Sequence, residues 1–214
     1  MKLLITAGPT REPLDPVRFL SNRSSGRMGY ALAEAAAARG HEVTLISGPV
    51  ALPPPKDVQV IRVVTAADML AAVKLHLKKC DALIMAAAVA DWRPARMAPR
   101  KLKKGRQQTL MLELKRTPDI LKSISRLKGQ RIFIGFAAET HNLCAEARRK
   151  LRAKKLDLIV ANDVSRPGAG FEVETNQVVL LAPDGVAEAL PLMSKRAVAE
   201  RLLDWLAVRV RRRS

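Results

Sequence analysis

Lys2-Leu3-Leu4-Ile5-Thr6-Ala7-Gly8-Pro9 decides the architecture. Its mostly apolar run, stopped by a Gly-Pro breaker, reads as a short strand buried within a sheet. A long irregular stretch leads on to Gly26. Residues 27–39 then carry an Ala-rich helical pattern closed by Gly40, the residue type that follows a helix most readily. Residues 42–47 read as a second strand and 58–64, beyond the Pro-rich loop 49–56, as a third. A helix over 66–79 and a strand over 81–89, apolar on both faces, continue the series. Helix 119–127, strand 131–138, helix 141–155 and strand 156–161 repeat it. This alternation predicts an α/β fold: a Rossmann-like, mostly parallel sheet with helices on both faces.

Two later segments differ in texture. Residues 176–192 hold two β runs across Pro183-Asp184-Gly185, which predicts an antiparallel C-terminal hairpin before an amphipathic helix over 194–208. Residues 101–115 hold two basic or alternating runs around Gly105. They are too exposed in character for a crossover and predict a protruding two-stranded β arm, bounded at 99–116. An isolated hairpin is marginal by itself, so the arm is expected to pair, for instance with a second subunit. The organisation expected is one domain over 1–208 with a basic tail at 209–214.

Hydrophobic residues make up 48% of the 214, enough for a packed core. Aromatics are only 3%, so that core is built from Ala, Val, Leu and Ile. The formal net charge of +18 concentrates polyanions without saying which. Part of it is the tail; the blocks at 101–106 and 148–155 lie inside the ordered pattern and suit a substrate better. Cys80 and Cys144 form no CxxC pair, and His41, His76 and His141 show no HExxH-type spacing. A disulfide framework or zinc site is therefore unsupported. With no signal-peptide pattern and no membrane-length apolar run, a reduced, cytoplasmic setting is the expectation.

In such sheets ligands bind beyond the carboxyl ends of the strands, near the switch in strand order. Three loops qualify. The first ends in Ser24-Ser25-Gly26-Arg27-Met28-Gly29, where glycines, hydroxyls and a helix start can receive an oxyanion; the bland alternative is a serine N-cap. It is neither a complete GxGxxG fingerprint nor a Walker P-loop. The second follows residues 86–90, whose small side chains let a planar ligand lie against backbone. Asp91 there could accept from a base or ribose, coordinate magnesium, or simply cap a turn. The third is Gly135-Phe136-Ala137-Ala138-Glu139-Thr140, with Phe136 placed to stack on a base or to fill the core. Lys101, Lys103, Lys104, Lys150 and Lys154 could neutralise a triphosphate, whereas Arg152 and Lys155 read as a solvated helix face.

Taken in order, these motifs resemble a known family. Gly8-Pro9-Thr10-Arg11-Glu12-Pro13-Leu14-Asp15, Ser21-Asn22-Arg23-Ser24-Ser25-Gly26-Arg27-Met28-Gly29, the 86–91 run, Lys101-Leu102-Lys103-Lys104, the Gly135 run and Ala161-Asn162-Asp163-Val164-Ser165 look like bacterial-type phosphopantothenoylcysteine synthetase. This is the ligase domain of the bifunctional coenzyme A biosynthesis protein. The resemblance spans roughly residues 2–206 and implies a ligation of 4′-phosphopantothenate to cysteine. In it, CTP activates the acid as an acyl-cytidylate, with magnesium assisting. Nothing in the residues alone separates CTP from ATP or names metal ligands.

By position the resemblance gives Lys101 the activation step and Asn22 the turnover of the intermediate with cysteine. It places Arg18 and Ala88 near that intermediate, with Ser24, Ser25 and Gly26 in the same substrate loop. Met85, Ala86, Ala87, Asp91, Lys101, Thr117, Pro118, Asp119, Ile120, Phe136, Lys150 and Lys154 match the nucleotide site. It also implies a homodimer joined through the arm. Thr117 stands where Asn is usual, Trp92 for Tyr and Arg27 for Lys. Two rivals fare worse. An NAD(P)-dependent reductase lacks its chemistry, because the only tyrosine, Tyr30, precedes Glu34 where Tyr-x-x-x-Lys is needed. A specific nucleic-acid binder would show stacking aromatics or a recognition motif.

Overall fold

The computed structural model describes residues 1–105, 108–139, 142–163, 170 and 173–211. Its main sheet has eight strands: β1 Lys2–Ala7, β2 Glu42–Ser47, β3 Gln59–Arg62, β4 Ala82–Met85, β5 Ile132–Glu139, β6 Leu158–Asp163, β7 Val178–Leu181 and β8 Ala187–Ala189. The order across it is β8-β7-β6-β5-β4-β1-β2-β3. β3 through β6 pair in parallel, and β7 and β8 add as the expected antiparallel hairpin. The chain winds outward from β1 in one direction, then crosses back to β4 and winds outward in the other. The reversal between β1 and β4 is where a doubly wound sheet opens a crevice.

The pleat of β1 shows how the sequence builds two cores. Leu3, Ile5 and Ala7 face α1 (Arg27–Ala38) and α5 (Lys195–Arg211), while Leu4 faces the other layer. That second layer holds α2 (Ala66–Leu77), α3 (Ile120–Ile124) and α4 (Leu143–Ala153). Phe133 and Leu83 are fully buried there, each such side chain contributing about 1.5–3 kcal/mol. With so few aromatics, close approach replaces bulk. A Cβ on Gly29 would lie 2.4 Å from the Cβ of Ala7, so α1 rests directly on β1. At the start of α2, Thr65 and Asp68 form a reciprocal capping box.

The departures from expectation have physical causes. β4 ends at Met85; beyond it the 86–89 backbone is held by side chains and by one parallel bridge, Pro9 to Ala88. The irregular stretch after β1 contains a short antiparallel pair, Arg11–Pro13 with Phe19–Ser21. The arm begins earlier than the expected 99, and its pairing is centred close to Gly105. Its paired legs are Trp92–Pro94 and Leu114–Arg116, and 101–105 contain no strand. α5 continues to Arg211, into the expected tail, with the Arg209 guanidinium 5.8 Å from the Trp205 ring centre. Arg212 and Arg213, like Thr140, His141, Val164 and Ser165, lie outside the described residues. No described helix is long and apolar enough to cross a membrane.

Candidate active site at the strand-order reversal

A cleft of about 740 Å³ opens at the carboxyl ends of β1, β4, β5 and β6. Its first wall is the start of α1. Gly26 occupies the cap position with φ +80°, a left-handed conformation that favours glycine, and no side chain caps the helix. The Ser24 hydroxyl accepts from Gly26 N–H at 3.4 Å. The serine N-cap alternative is therefore not what forms, and the helix start, which carries partial positive charge, faces the cleft.

The floor is the backbone after β4. Two fully buried hydroxyls hold it: Thr6 accepts from Ala87 N–H at 3.2 Å and Thr10 from Ala90 N–H at 3.0 Å. Ala88 N–H donates to Gly8 O at 2.9 Å, and Thr10 N–H to Ala88 O at 3.4 Å. Asn22 then spans the two loops, its side-chain amide donating to Ala88 O at 3.3 Å and Val89 O at 3.0 Å. The loops expected to carry chemistry are thus stitched together by the residues that flank them.

The far wall comes from α3 and α4. Thr117 donates through its hydroxyl to Ala90 O and through its N–H to Asp91 O; with Thr in place of Asn, this side chain serves the loop backbone. Asp119 caps α3 by accepting from Lys122 N–H at 3.1 Å and pairs with Lys154 at 3.2 Å. Lys150 and Lys154 both line the cleft, as do Pro118, Ile120 and the half-buried Phe136.

The structure therefore brings together Asn22, Ser24, Gly26, Met85, Ala86, Ala87, Ala88 and Asp91 with Thr117, Pro118, Asp119, Ile120, Phe136, Lys150 and Lys154. Three expected residues do not line the cleft: Arg18, Ser25 and Lys101. Arg18 forks onto Asp15, its Nε at 3.0 Å and Nη2 at 2.6 Å from the same oxygen. Lys101 is exposed in the segment between the two legs of the arm.

Sequence reasoning gave no role to Asn162, Asn176 or Lys195, which line the cleft from β6, its neighbouring segment and the start of α5. Asn162 lies at the carboxyl end of β6, where the strand-end rule could have found it, and its Oδ1 is buried without a partner among the described residues. Lys195 is buried and donates to Gly170 O at 3.1 Å and to Val173 O. Burial pushes its ammonium below the ordinary lysine range. No cluster of three or more His, Cys, Asp or Glu suited to a metal occurs among the described residues. Among the described residues the carboxylates at the cleft are Asp91 and Asp119, a set that fits magnesium carried mainly on phosphates.

Residues 1–209 match the family model of the DNA/pantothenate metabolism flavoprotein C-terminal domain. The chain belongs to that family. Among curated relatives of this flavoprotein C-terminal domain, the coenzyme A biosynthesis bifunctional protein of Escherichia coli (strain K12) is 48% identical over 212 residues, covering 98% of this chain and 52% of the relative. That of Bacillus subtilis (strain 168) is 51% identical over 206 residues, covering 96% and 50%. The chain thus spans about half the length of the curated relatives it matches. A crystal structure of the C-terminal domain of a coenzyme A biosynthesis bifunctional protein superposes with TM-score 0.83 at 44% identity, covering 98% of this chain and 95% of that one. The DNA/pantothenate metabolism flavoprotein from Streptococcus pneumoniae, at 24% identity and TM-score 0.84, shares the fold.

Proposed function

We propose that the chain is a phosphopantothenate–cysteine ligase of coenzyme A biosynthesis, using CTP through an acyl-cytidylate. The cleft at the strand-order reversal carries the reading. There an uncapped helix start opposes two lysines and a ring, in a domain about half identical to coenzyme A biosynthesis proteins. A nucleotide laid across it stacks its base near Phe136 and directs its phosphates at the Ser24–Gly26 turn and at Lys150 and Lys154. Thr117–Ile120 and the 85–87 backbone flank the base and ribose, with Asp91 accepting from ribose or base.

In the first step a carboxylate oxygen of 4′-phosphopantothenate attacks the α-phosphorus of CTP, and pyrophosphate leaves. In the second the amine of cysteine attacks the acyl carbon, loses a proton and expels CMP. Magnesium, bound with the triphosphate, screens charge between the two polyanions. Lys101 stabilises charge at phosphorus during activation. Asn22, whose amide nitrogen is anchored on the Ala88 and Val89 carbonyls, has its Oδ1 to accept from the amine of cysteine and orient it.

A homodimer in a cytoplasmic setting belongs to the same reading. The arm exposes Leu110, Met111, Leu112 and Leu114, with Met111 96% exposed, an apolar strip suited to a second copy. The test is direct. The protein is incubated with phosphopantothenate, cysteine, magnesium and either CTP or ATP, and CMP or AMP and pyrophosphate are separated chromatographically. Cysteine-dependent CMP release is expected; its absence with both nucleotides sinks the ligase reading, and faster turnover with ATP sinks the choice of CTP.

A further inference from the structure

Asp15 joins two parts of the chain that the ligase reading uses separately. Its carboxylate is buried and accepts five hydrogen bonds. Oδ1 receives Val17 N–H and Arg18 N–H, both at 2.8 Å. Oδ2 receives Arg18 Nε at 3.0 Å, Arg18 Nη2 at 2.6 Å and, from 87 residues away, Leu102 N–H at 3.1 Å. Arg18 Nη2 also donates to Leu102 O at 2.7 Å. Both backbone polar groups of Leu102 are therefore held by one ion pair.

The peptide unit is planar. Fixing Leu102 N–H fixes the plane that contains the Cα of Lys101, and with it the point from which the lysine side chain starts. Among the described residues little else does so. Residues 101–105 contain no strand, and the nearest further anchor is Ala98 N–H on Leu14 O at 2.9 Å, beside Asp15 itself. Asn22, in contrast, has its own support: Ser21 donates to Thr10 O at 2.8 Å, and the amide of Asn22 is bound to Ala88 and Val89.

We infer that Asp15, through Arg18 and the backbone of Leu102, is a positioning residue for Lys101, setting the activation step while leaving amide formation to Asn22. This deepens the ligase reading and rests on it. The ion pair matters as a carboxylate. Asp15→Asn has the same shape, but its amide NH₂ must face either the Arg18 guanidinium or N–H donors, so the clamp loses acceptors without loss of volume.

The experiment separates the half-reactions. Cysteine-independent pyrophosphate release from CTP and phosphopantothenate reads the first step. Conversion of preformed acyl-cytidylate by cysteine, made with the wild-type protein, reads the second. Asp15→Asn is expected to slow the first about tenfold to a hundredfold, the scale of an ångström-level misplacement, and to leave the second within about threefold. Hydrogen exchange at the Leu102 amide, protected in the wild type, becomes fast in the variant. Leu102→Pro, which deletes the donated proton while keeping Asp15 and Arg18 intact, reproduces the first-step defect. Parallel loss of both steps, or loss of neither, overturns the inference while the ligase reading stands. Absence of pyrophosphate release by the wild-type protein overturns both.

Discussion

Asn22 places its side-chain nitrogen 3.0 Å from the carbonyl oxygen of Val89, across the junction between the loops that follow β1 and β4. The contact fixes an amide at the mouth of the cleft and needs a donor. Asn22→Asp keeps the shape, turns the donor into an anion facing two carbonyl oxygens, and so loses both the anchor and the amide. On the ligase reading, acyl-cytidylate accumulates in this variant, and Lys101→Gln forms none. Rapid-quench chromatography of the reaction distinguishes them; failure of Asn22→Asp to make intermediate would reverse the division of labour.

Gly29 gives a stability prediction independent of function. An added Cβ meets Ala7 Cβ at 2.4 Å and Thr6 O at 2.9 Å, backbone and core atoms that cannot swing away. Gly29→Ala should cost about 1–3 kcal/mol by overpacking. Urea unfolding followed by circular dichroism measures it. The same change at Gly40, where no atom lies within 4 Å of the added Cβ, acts only through a φ of +76° and serves as the unclashed comparison.

The two cysteines should separate in an alkylation assay. Cys80 is buried, and burial pushes its thiol up to about 11, so little thiolate exists near neutrality; Cys144 is exposed. Iodoacetamide at about pH 8 should add one group per chain, at Cys144, until the protein is unfolded. Peptide mass spectrometry reads the site, and early modification of Cys80 would contradict the packing.

Acid stability should report Asp15. The Arg18 guanidinium, backed by three backbone N–H groups, holds its carboxyl well below the usual carboxylate range. A depressed folded-state value means stability that is present above the unfolded value of about 3.9 and lost as pH falls below it. Asp15→Asn should therefore lower the melting temperature at neutral pH and flatten its decline below about pH 4. An unchanged acid slope would mean that the carboxylate contributes nothing beyond its shape.

The arm predicts an assembly. Met111→Lys places charge in the exposed Leu110–Leu114 strip and should turn a dimer into a monomer in light scattering at the same concentration. An unaltered mass would remove the strip from the interface.

Much of this fold is legible locally. The first strand keeps its expected limits, Lys2–Ala7, because an apolar run ends at Gly-Pro. The 86–91 and Gly135 loops are found because strand ends in such sheets carry ligands. What escapes is set by distant partners. β4 stops at Met85 because the hydroxyls of Thr6 and Thr10 capture the backbone beyond it, which no local pattern announces. Trp92–Pro94, three residues ending in proline, gives no strand signal, yet pairs with Leu114–Arg116. Lys195 reads as an ordinary helix start until folding carries it to the cleft.

The Pro9–Ala88 bridge has a consequence for traffic. In an open doubly wound sheet the two wings can part at the reversal like the covers of a book. Here the pairing continues past the strands, through Gly8, Thr10 and Ala88, and the spine is sewn shut. Parting the wings would break these backbone bonds, so any opening of the cleft is expected at its rim, where Asn22 and the legs of the arm stand.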